Sequence, residues 1–389
     1  MIQDEKLFFL KCLNDHLHNR KTSVPENVDI RTLIPIARQQ ELLGIVYHQL
    51  KDSLHEKDAF FSAYMATLFH YGNLKHQYEL VLKELSKVNV TAIPIKGLEI
   101  AQFYPIPALR TMGDIDLLIH DEDKPIISSV MKQLGYVRHG EYSVGSWSFF
   151  KDNIEFEFHP ELISLDEEVE KKNNAVFFND IWKYVQNGSL KNEFHFLFLV
   201  AHLRKHILNR GAGFRQFMDI AVMTNVLRDS MDWPWISDKL NELELKRFSD
   251  VVFSCNKAWF DIEPPYPIQE SSAEDIDTIA ERIFDGGVFG FRAEDADNAL
   301  LGYQMSNHGG FIGRVKSFFR TVFPPYSLLR TIKQYEFVNN RPWLVPLAWI
   351  YRIEVSIGKL KGKMKIFRHP EDEKINRRIE YIRILGLDK

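Results

Sequence analysis

The chain has 389 residues, 45% of them hydrophobic and 26% charged, with a net charge of −4. These proportions are globular and exclude a disordered chain, a fibrous repeat or a coiled coil, while the length suggests about two to three domains. Two cysteines, Cys12 and Cys255, are too few for a disulfide framework and suit a reducing, cytoplasmic setting.

The first residues carry acids and no long apolar run, so no secretory signal is expected, and no stretch of about 18 apolar residues is available to span a membrane. Residues 1–89 have helical spacing, first at Leu7, Leu10, Leu13 and Leu17, then over 30–50. Residues 60–88 contain no proline and one glycine, Gly72, which predicts one long helix. At residue 90 the texture changes to a mixed α/β region that extends to 190. Residues 90–96 are predicted as a strand closed by Gly97, followed by two helical turns that Pro105 and Pro107 stop. A second strand is expected at 114–119, then a helix capped by Asp121 and ended by Gly135. Residues 146–150 and 154–159 alternate as a hairpin around Asp152-Asn153. Over 191–290 the chain returns to helices, at 193–208, 214–228, 235–245 and 273–284. A basic helical extension is expected at 291–389, irregular to about 310 and interrupted at Pro324-Pro325. The expected fold class is α+β: a small mixed sheet flanked by N-terminal and C-terminal helical regions.

Charge is unevenly spread. Residues 311–389 hold 17 Lys or Arg against 7 Asp or Glu, leaving 32 bases against 46 acids in the other 310. The acidic body is a poor nucleic-acid binder, because phosphate contacts need bases, and no bulk nucleic-acid binding is expected.

The densest cluster of reactive side chains is Arg110-Thr-Met-Gly113-Asp114-Ile-Asp116. Alternation along a strand puts Asp114 and Asp116 on one face, about 6–7 Å apart, and Ile115 and Leu117 on the other. Two ionised carboxylates so close repel unless cations lie between them, and hard oxygen ligands suit Mg²⁺ or Mn²⁺. Gly113 would let the backbone approach a ligand closely. Glu155, Glu157 and His159 likewise share one face of the 154–159 strand, and a strand beside that of Asp114 would supply a third carboxylate. Lys96-Gly97, between strand and helix, is a candidate phosphate contact. The His202 and His206 pair has the spacing of a helical zinc pair, but Leu203 stands where such a motif needs Glu. Arg215 and Asp219, four residues apart, are expected to form a helix salt bridge. Arg204 and Lys205 present a cationic face.

The Lys96-Gly97 turn, the Asp114/Asp116 strand and the later Glu157 resemble the nucleotidyltransferase fold of the DNA polymerase β superfamily. They are similar above all to an uncharacterised bacterial nucleotidyltransferase group with Lys-Gly, an Arg before Gly-Asp-Ile-Asp-Leu-Leu, and an acid two residues before His. His202-Leu-Arg-Lys205-His206, the run from Gly213 to Asp219 and the 342–352 stretch also look like that group, so the resemblance spans roughly 90–350. Leu98 stands where the wider superfamily has Ser or Gly, and Glu157 where Asp is more usual. The resemblance implies that Asp114, Asp116 and Glu157 are catalytic and hold two Mg²⁺ or Mn²⁺ ions. It implies a nucleoside triphosphate bound by Lys96, Gly97, Arg110, Gly113, Lys205 and Arg215, with His159 and His206 orienting the site or meeting the acceptor. That acceptor would be a small molecule, sugar, peptide or protein. Two other readings compete. A nucleotide-sugar-dependent glycosyltransferase also uses Asp-x-Asp, although its nucleotide-binding half usually precedes the motif. The third is a binding protein that keeps the fold without turnover.

In the basic extension, residues 342–368 mix Trp343, Trp349 and Tyr351 with aliphatics and bases. Opposite charge and the need for cover favour packing of the apolar face on the acidic body. The alternative is peripheral contact with an anionic membrane.

Overall fold

The computed structural model describes residues 4–54, 58–139, 147–162, 172–209, 211–287, 323–329, 333–338, 341–355 and 373–388. The N-terminal helices are α1 (Asp4–Leu17), α2 (Leu33–Gln39), α3 (Leu43–Leu50) and α4 (Asp58–Lys87), the last being the long helix that residues 60–88 predict.

A five-stranded mixed sheet follows, made of β1 (Ile93–Pro94), β2 (Asp114–Leu118), β3 (Val137–His139), β4 (Trp147–Lys151) and β5 (Ile154–His159) in the order β1-β2-β5-β4-β3. The strand expected over 90–96 pairs over two residues only, since Pro94 has no N–H to give a ladder. It passes directly into the short helix α5 (Gly97–Ala101). β2 and β5 are parallel, and every other pair is antiparallel. The β4–β5 hairpin turns at Asp152 and Asn153, both left-handed with φ of 49° and 64°, as a tight two-residue turn requires.

Helix α6 (Lys124–Gln133) corrects one expectation. Asp121 does not cap it; it opens a single 3₁₀ turn and pairs with Lys124 at 2.5 Å, and the helix proper starts at Lys124. Gly135, at φ +83°, ends it as expected. Beyond it come α7 (Lys172–Asn179), the hairpin β6 (Val185–Gln186) and β7 (Ser189–Leu190), then α8 (Asn192–Asn209), α9 (Phe214–Val226), α10 (Trp233–Glu242), α11 (Lys246–Phe260) and α12 (Ala273–Gly286). Helix α11 adds to the expected set; Phe248, Val252, Cys255 and Trp259 recur along it at helical period and are buried.

The sheet has two unlike faces. Ile115, Leu117, Phe149, Phe156 and Phe158 form a core with Leu74, Val81 and Leu85 of α4 and Ile127 and Met131 of α6. The other face carries Asp114, Asp116, Glu157 and His159 toward α8 and α9. A larger core joins α1 and α3 to α8–α12, and it includes Ile93 and Ile95 beside the site.

In the C-terminal part lie α13 (Tyr326–Leu329), α14 (Val345–Val355) and α15 (Glu373–Ile384). Tyr381 and Ile382 of α15 enter the main core, and Arg378 donates to the carbonyls of Ile207 and Leu208 at the end of α8. The expectation that the 342–368 segment covers its apolar face on the body is not met by its described part. Val345 and Ala348 pack in a small separate cluster with Leu329, Tyr335 and Val338, while Trp343, Leu347, Ile350 and Tyr351 are exposed. Residues 288–322 and 356–372, including the expected irregular stretch and most of the basic run, lie outside the described residues. No helix among the described residues is long and apolar enough to cross a membrane.

Candidate active site

The parallel register of β2 and β5 sets Asp114 beside Glu155, Asp116 beside Glu157 and Leu118 beside His159. Because both strands alternate in phase, the carboxylates gather on one face while Ile115, Leu117, Phe156 and Phe158 hold the other side in the core.

Asp116 is the centre of the cluster and is 5% exposed. Its Oδ1 accepts from Lys96 Nζ at 2.7 Å and from His159 Nε2 at 2.8 Å. His159 Nε2 also lies 3.4 Å from Glu157 Oε2. Burial pushes the Asp116 carboxyl up, but Lys96 and His159 outweigh it and hold the group well below the usual carboxylate range. Burial works against the charge on Lys96 and His159 as well. Asp116 reverses this for both, helped by Glu157, and raises their pKa values. Asp114 behaves oppositely: the charge of Asp116, then burial, raise it to about 6. The pair repels as expected, and the structure shows how the cost is divided. One carboxylate takes the cations and the other is drawn toward its neutral form.

Lys96 reaches this position because it follows β1 by two residues and caps α5, where Gly97 turns the chain at φ +35°. Ile95 N donates to the Asp116 carbonyl at 3.2 Å, and His195 of α8 donates from Nε2 to the Ile95 carbonyl at 2.6 Å. Burial holds His195 neutral, with its pKa lowered to about 4. The strand edge that carries Lys96 is thereby pinned from both sides.

A cleft of about 350 Å³ opens beside Asp114 and Asp116, and Glu157 and His159 of the same face are not among its lining residues. Lys96, Gly97, Arg110, Gly113, Asp114, Asp116, Arg215 and His206 line it, joined by His202 and Asp219. Lys205 is not among the lining residues, though its charge acts on His206. His202 and His206 meet at 2.8 Å between their Nε2 atoms. Burial, followed by the charge of Lys96, lowers both; His206 falls to about 4 and His202 well below its ordinary value. Two neutral imidazoles suit this contact, one donating and one accepting.

The expected helix pair of Arg215 with Asp219 gives way to a long-range one. Asp219 accepts two parallel bonds from Arg110, from Nε and Nη2, each 2.8 Å, and a third at 2.8 Å from the Tyr104 hydroxyl. Arg110 is thus a buried bidentate partner of α9. Arg215 donates from Nη1 to the Thr111 carbonyl at 2.5 Å and lies 4.0 Å from Glu41. Its Nε is buried without a partner among the described residues. Glu41, with a left-handed φ of 54°, and Tyr104 join the site from segments that no sequence motif marks.

A cation would find a suitable donor set here. One ligand atom each from Asp116, Glu157 and His159 lies within 4.8 Å of the others, and Asp114 stands on the same face two residues before Asp116. Carboxylate oxygens that repel in the bare site are the ligands a hard divalent ion selects.

No curated protein and no solved structure matches the chain. A family model described as an uncharacterised nucleotidyltransferase matches residues 26–261. The match takes in the N-terminal helices from residue 26 and ends before the 342–352 stretch, so it is displaced from the expected 90–350. It contains every residue that lines the cleft. The chain therefore belongs to this uncharacterised nucleotidyltransferase family.

Proposed function

We propose that the protein is a metal-dependent nucleotidyltransferase of the DNA polymerase β type, which moves a nucleoside monophosphate from a triphosphate to an acceptor hydroxyl. The observation that supports this best is the in-register pairing of Asp116 with Glu157, beside Asp114 and above a closed core. Asp114, Asp116 and Glu157 would hold two Mg²⁺ or Mn²⁺ ions. When bound, such ions supply Lewis-acid polarisation and charge neutralisation at the α-phosphate.

The chain's own residues do the rest. Lys96 and His159 fix the Asp116 carboxylate through Oδ1, so its orientation is set before substrate arrives. Arg215, which lines the cleft and whose Nε has no partner among the described residues, offsets phosphate charge, and the charge of Lys205 adds to the field. Gly97 and Gly113 keep that wall low. Arg110, committed to Asp219, positions the segment leading into β2. The acceptor oxygen forms a bond to the α-phosphorus as the bond to the bridging oxygen breaks. Pyrophosphate leaves, and the hydroxyl proton is lost to solvent. His206 and His202, neutral and opposite the carboxylates, face the acceptor, which would be a small molecule, sugar, peptide or protein. The free, buried thiols of Cys12 and Cys255 accord with a reducing cytoplasm.

The test is label transfer from α-labelled triphosphates with Mg²⁺ or Mn²⁺ to components of a cell extract, followed by mass spectrometry of the labelled species. Labelling that needs a divalent ion and vanishes in Asp114→Asn supports the reading. Labelling from a nucleotide-sugar instead would favour glycosyl transfer, and no transfer under any condition would favour a binding protein.

A further inference from the structure

Helix α14 is held with an apolar stripe facing outward. Its inner side is fixed: Val345 and Ala348 are buried against Leu329, Tyr335 and Val338. Trp349 Nε1 donates to the Pro324 carbonyl at 2.8 Å, and the ring of Tyr351 stands edge-on to Tyr335. On the outer side Leu347 is 54% and Ile350 62% exposed; Trp343, in the 3₁₀ turn that leads into the helix, is 70% exposed, and Tyr351, at the border of the two sides, 42%. Pro346, between them, is also exposed. These positions fall on one side of a helix by their spacing of three and four. An outward run of this kind, on a helix already anchored from behind, marks an interaction surface.

We propose that this stripe docks on an anionic lipid bilayer. Trp and Tyr are the side chains that settle at the boundary of acyl chains and headgroups, and Leu347 and Ile350 between them would enter the apolar layer. An 11-residue helix is about 16 Å long, enough to lie in that boundary and too short to cross it. Charge selects the occupant. In the sequence that carries the stripe, residues 341–370, seven bases stand against one acid, Glu354, whereas the remaining chain holds 42 against 52. An anionic surface attracts the stretch that carries the stripe and repels the acidic remainder of the chain. A second copy is disfavoured by the same charge, because two like-charged ends would have to meet. The exposed Arg341 stands at the start of the stripe, where a phosphate headgroup would lie.

The test uses the full chain in co-sedimentation with vesicles of phosphatidylcholine alone or mixed in equal parts with phosphatidylglycerol. We expect binding at least about tenfold stronger to the anionic vesicles, weakened at about 0.5 M salt. Leu347→Glu with Ile350→Glu should lower that binding about tenfold or more while the melting temperature stays unchanged, since both side chains are exposed. Should the glutamates disturb folding, Trp343→Ala trims one exposed ring and should still weaken binding about threefold. Failure to bind anionic vesicles would overturn the proposal, as would full binding by these variants. So would a dimer in solution that the glutamates dissociate.

Discussion

Asp116 and Asp219 line one cleft, equally buried at 5% exposure and each bonded to a cation. Their partners differ in kind. Asp219 is closed: Arg110 grips both of its oxygens and Tyr104 adds a third bond to Oδ1. Asp116 is half open: Lys96 and His159 converge on Oδ1, and Oδ2 accepts no bond from a described residue. A planar guanidinium satisfies a carboxylate completely, whereas an ammonium and an imidazole act as point donors and leave an oxygen for something else. The same residue type therefore makes a closed clamp at one position and a half-open carboxylate at the other.

Substitutions can break this contrast. Asp116→Asn should cost about a thousandfold or more in transfer. It should also lower stability, because Lys96 and His159 lose the charge that offsets their burial. Asp114→Asn should cost a similar factor in transfer yet leave the melting temperature level or slightly raised, since repulsion from Asp116 and burial together outweigh the pull of Lys96 and Arg215 on its charge. Equal melting losses in the two variants, measured by calorimetry without metal, would erase the distinction between them. Asp219→Asn should be the more damaging to the fold. It leaves the Arg110 guanidinium buried and uncompensated, at about 3–5 kcal/mol. Chemical denaturation would measure this, and a loss under about 1 kcal/mol would mean the clamp is ornamental.

Acid should weaken the scaffold through its buried imidazoles. His16, His195 and His206 are held neutral by burial, each lowered to about 4. Their folded pKa lies below the unfolded value, so the unfolded chain binds more protons between about pH 6.5 and 4. Their stabilisation is intact above that window and is lost as pH falls through it. Asp114, raised to about 6, and His159, also raised, contribute with the opposite sign and offset only part of the loss. Melting temperatures should therefore decline from pH 7 to 4, and His16→Gln should flatten the slope. A rising melting temperature over this range would contradict the burial of these imidazoles. The smallest effect is expected at Gly113→Ala. An added Cβ there meets nothing within 4 Å, so stability should change by no more than about 0.5 kcal/mol while triphosphate affinity falls.

How much of this the sequence reveals depends on range. The face shared by Asp114 and Asp116 is legible because strand period is fixed, and so is that of Glu157 and His159. The long helix α4 is legible from the absence of breakers. The clamp is not: Arg110 and Asp219 lie 109 positions apart, and the nearer Arg215 has the better local spacing. Nor is the pinning of Ile95 by His195, which depends on how α8 crosses the sheet. Glu41 enters the cleft through a left-handed turn between α2 and α3, with no motif to announce it. Local periodicity writes the ligand face into the chain, while the residues that brace it are chosen by tertiary packing.

On the proposed function, the open carboxylates await a cation that carries a triphosphate. Thermal unfolding with a nucleoside triphosphate, compared in Mg²⁺ and in EDTA, tests it most directly. With Mg²⁺, ligand at a hundredfold over its dissociation constant should add about 2.7 kcal/mol of stability, and Asp114→Asn should abolish the gain. In EDTA the phosphates would face Asp114, Asp116 and Glu157 unshielded, and no gain should appear. Equal stabilisation in Mg²⁺ and EDTA would contradict the account.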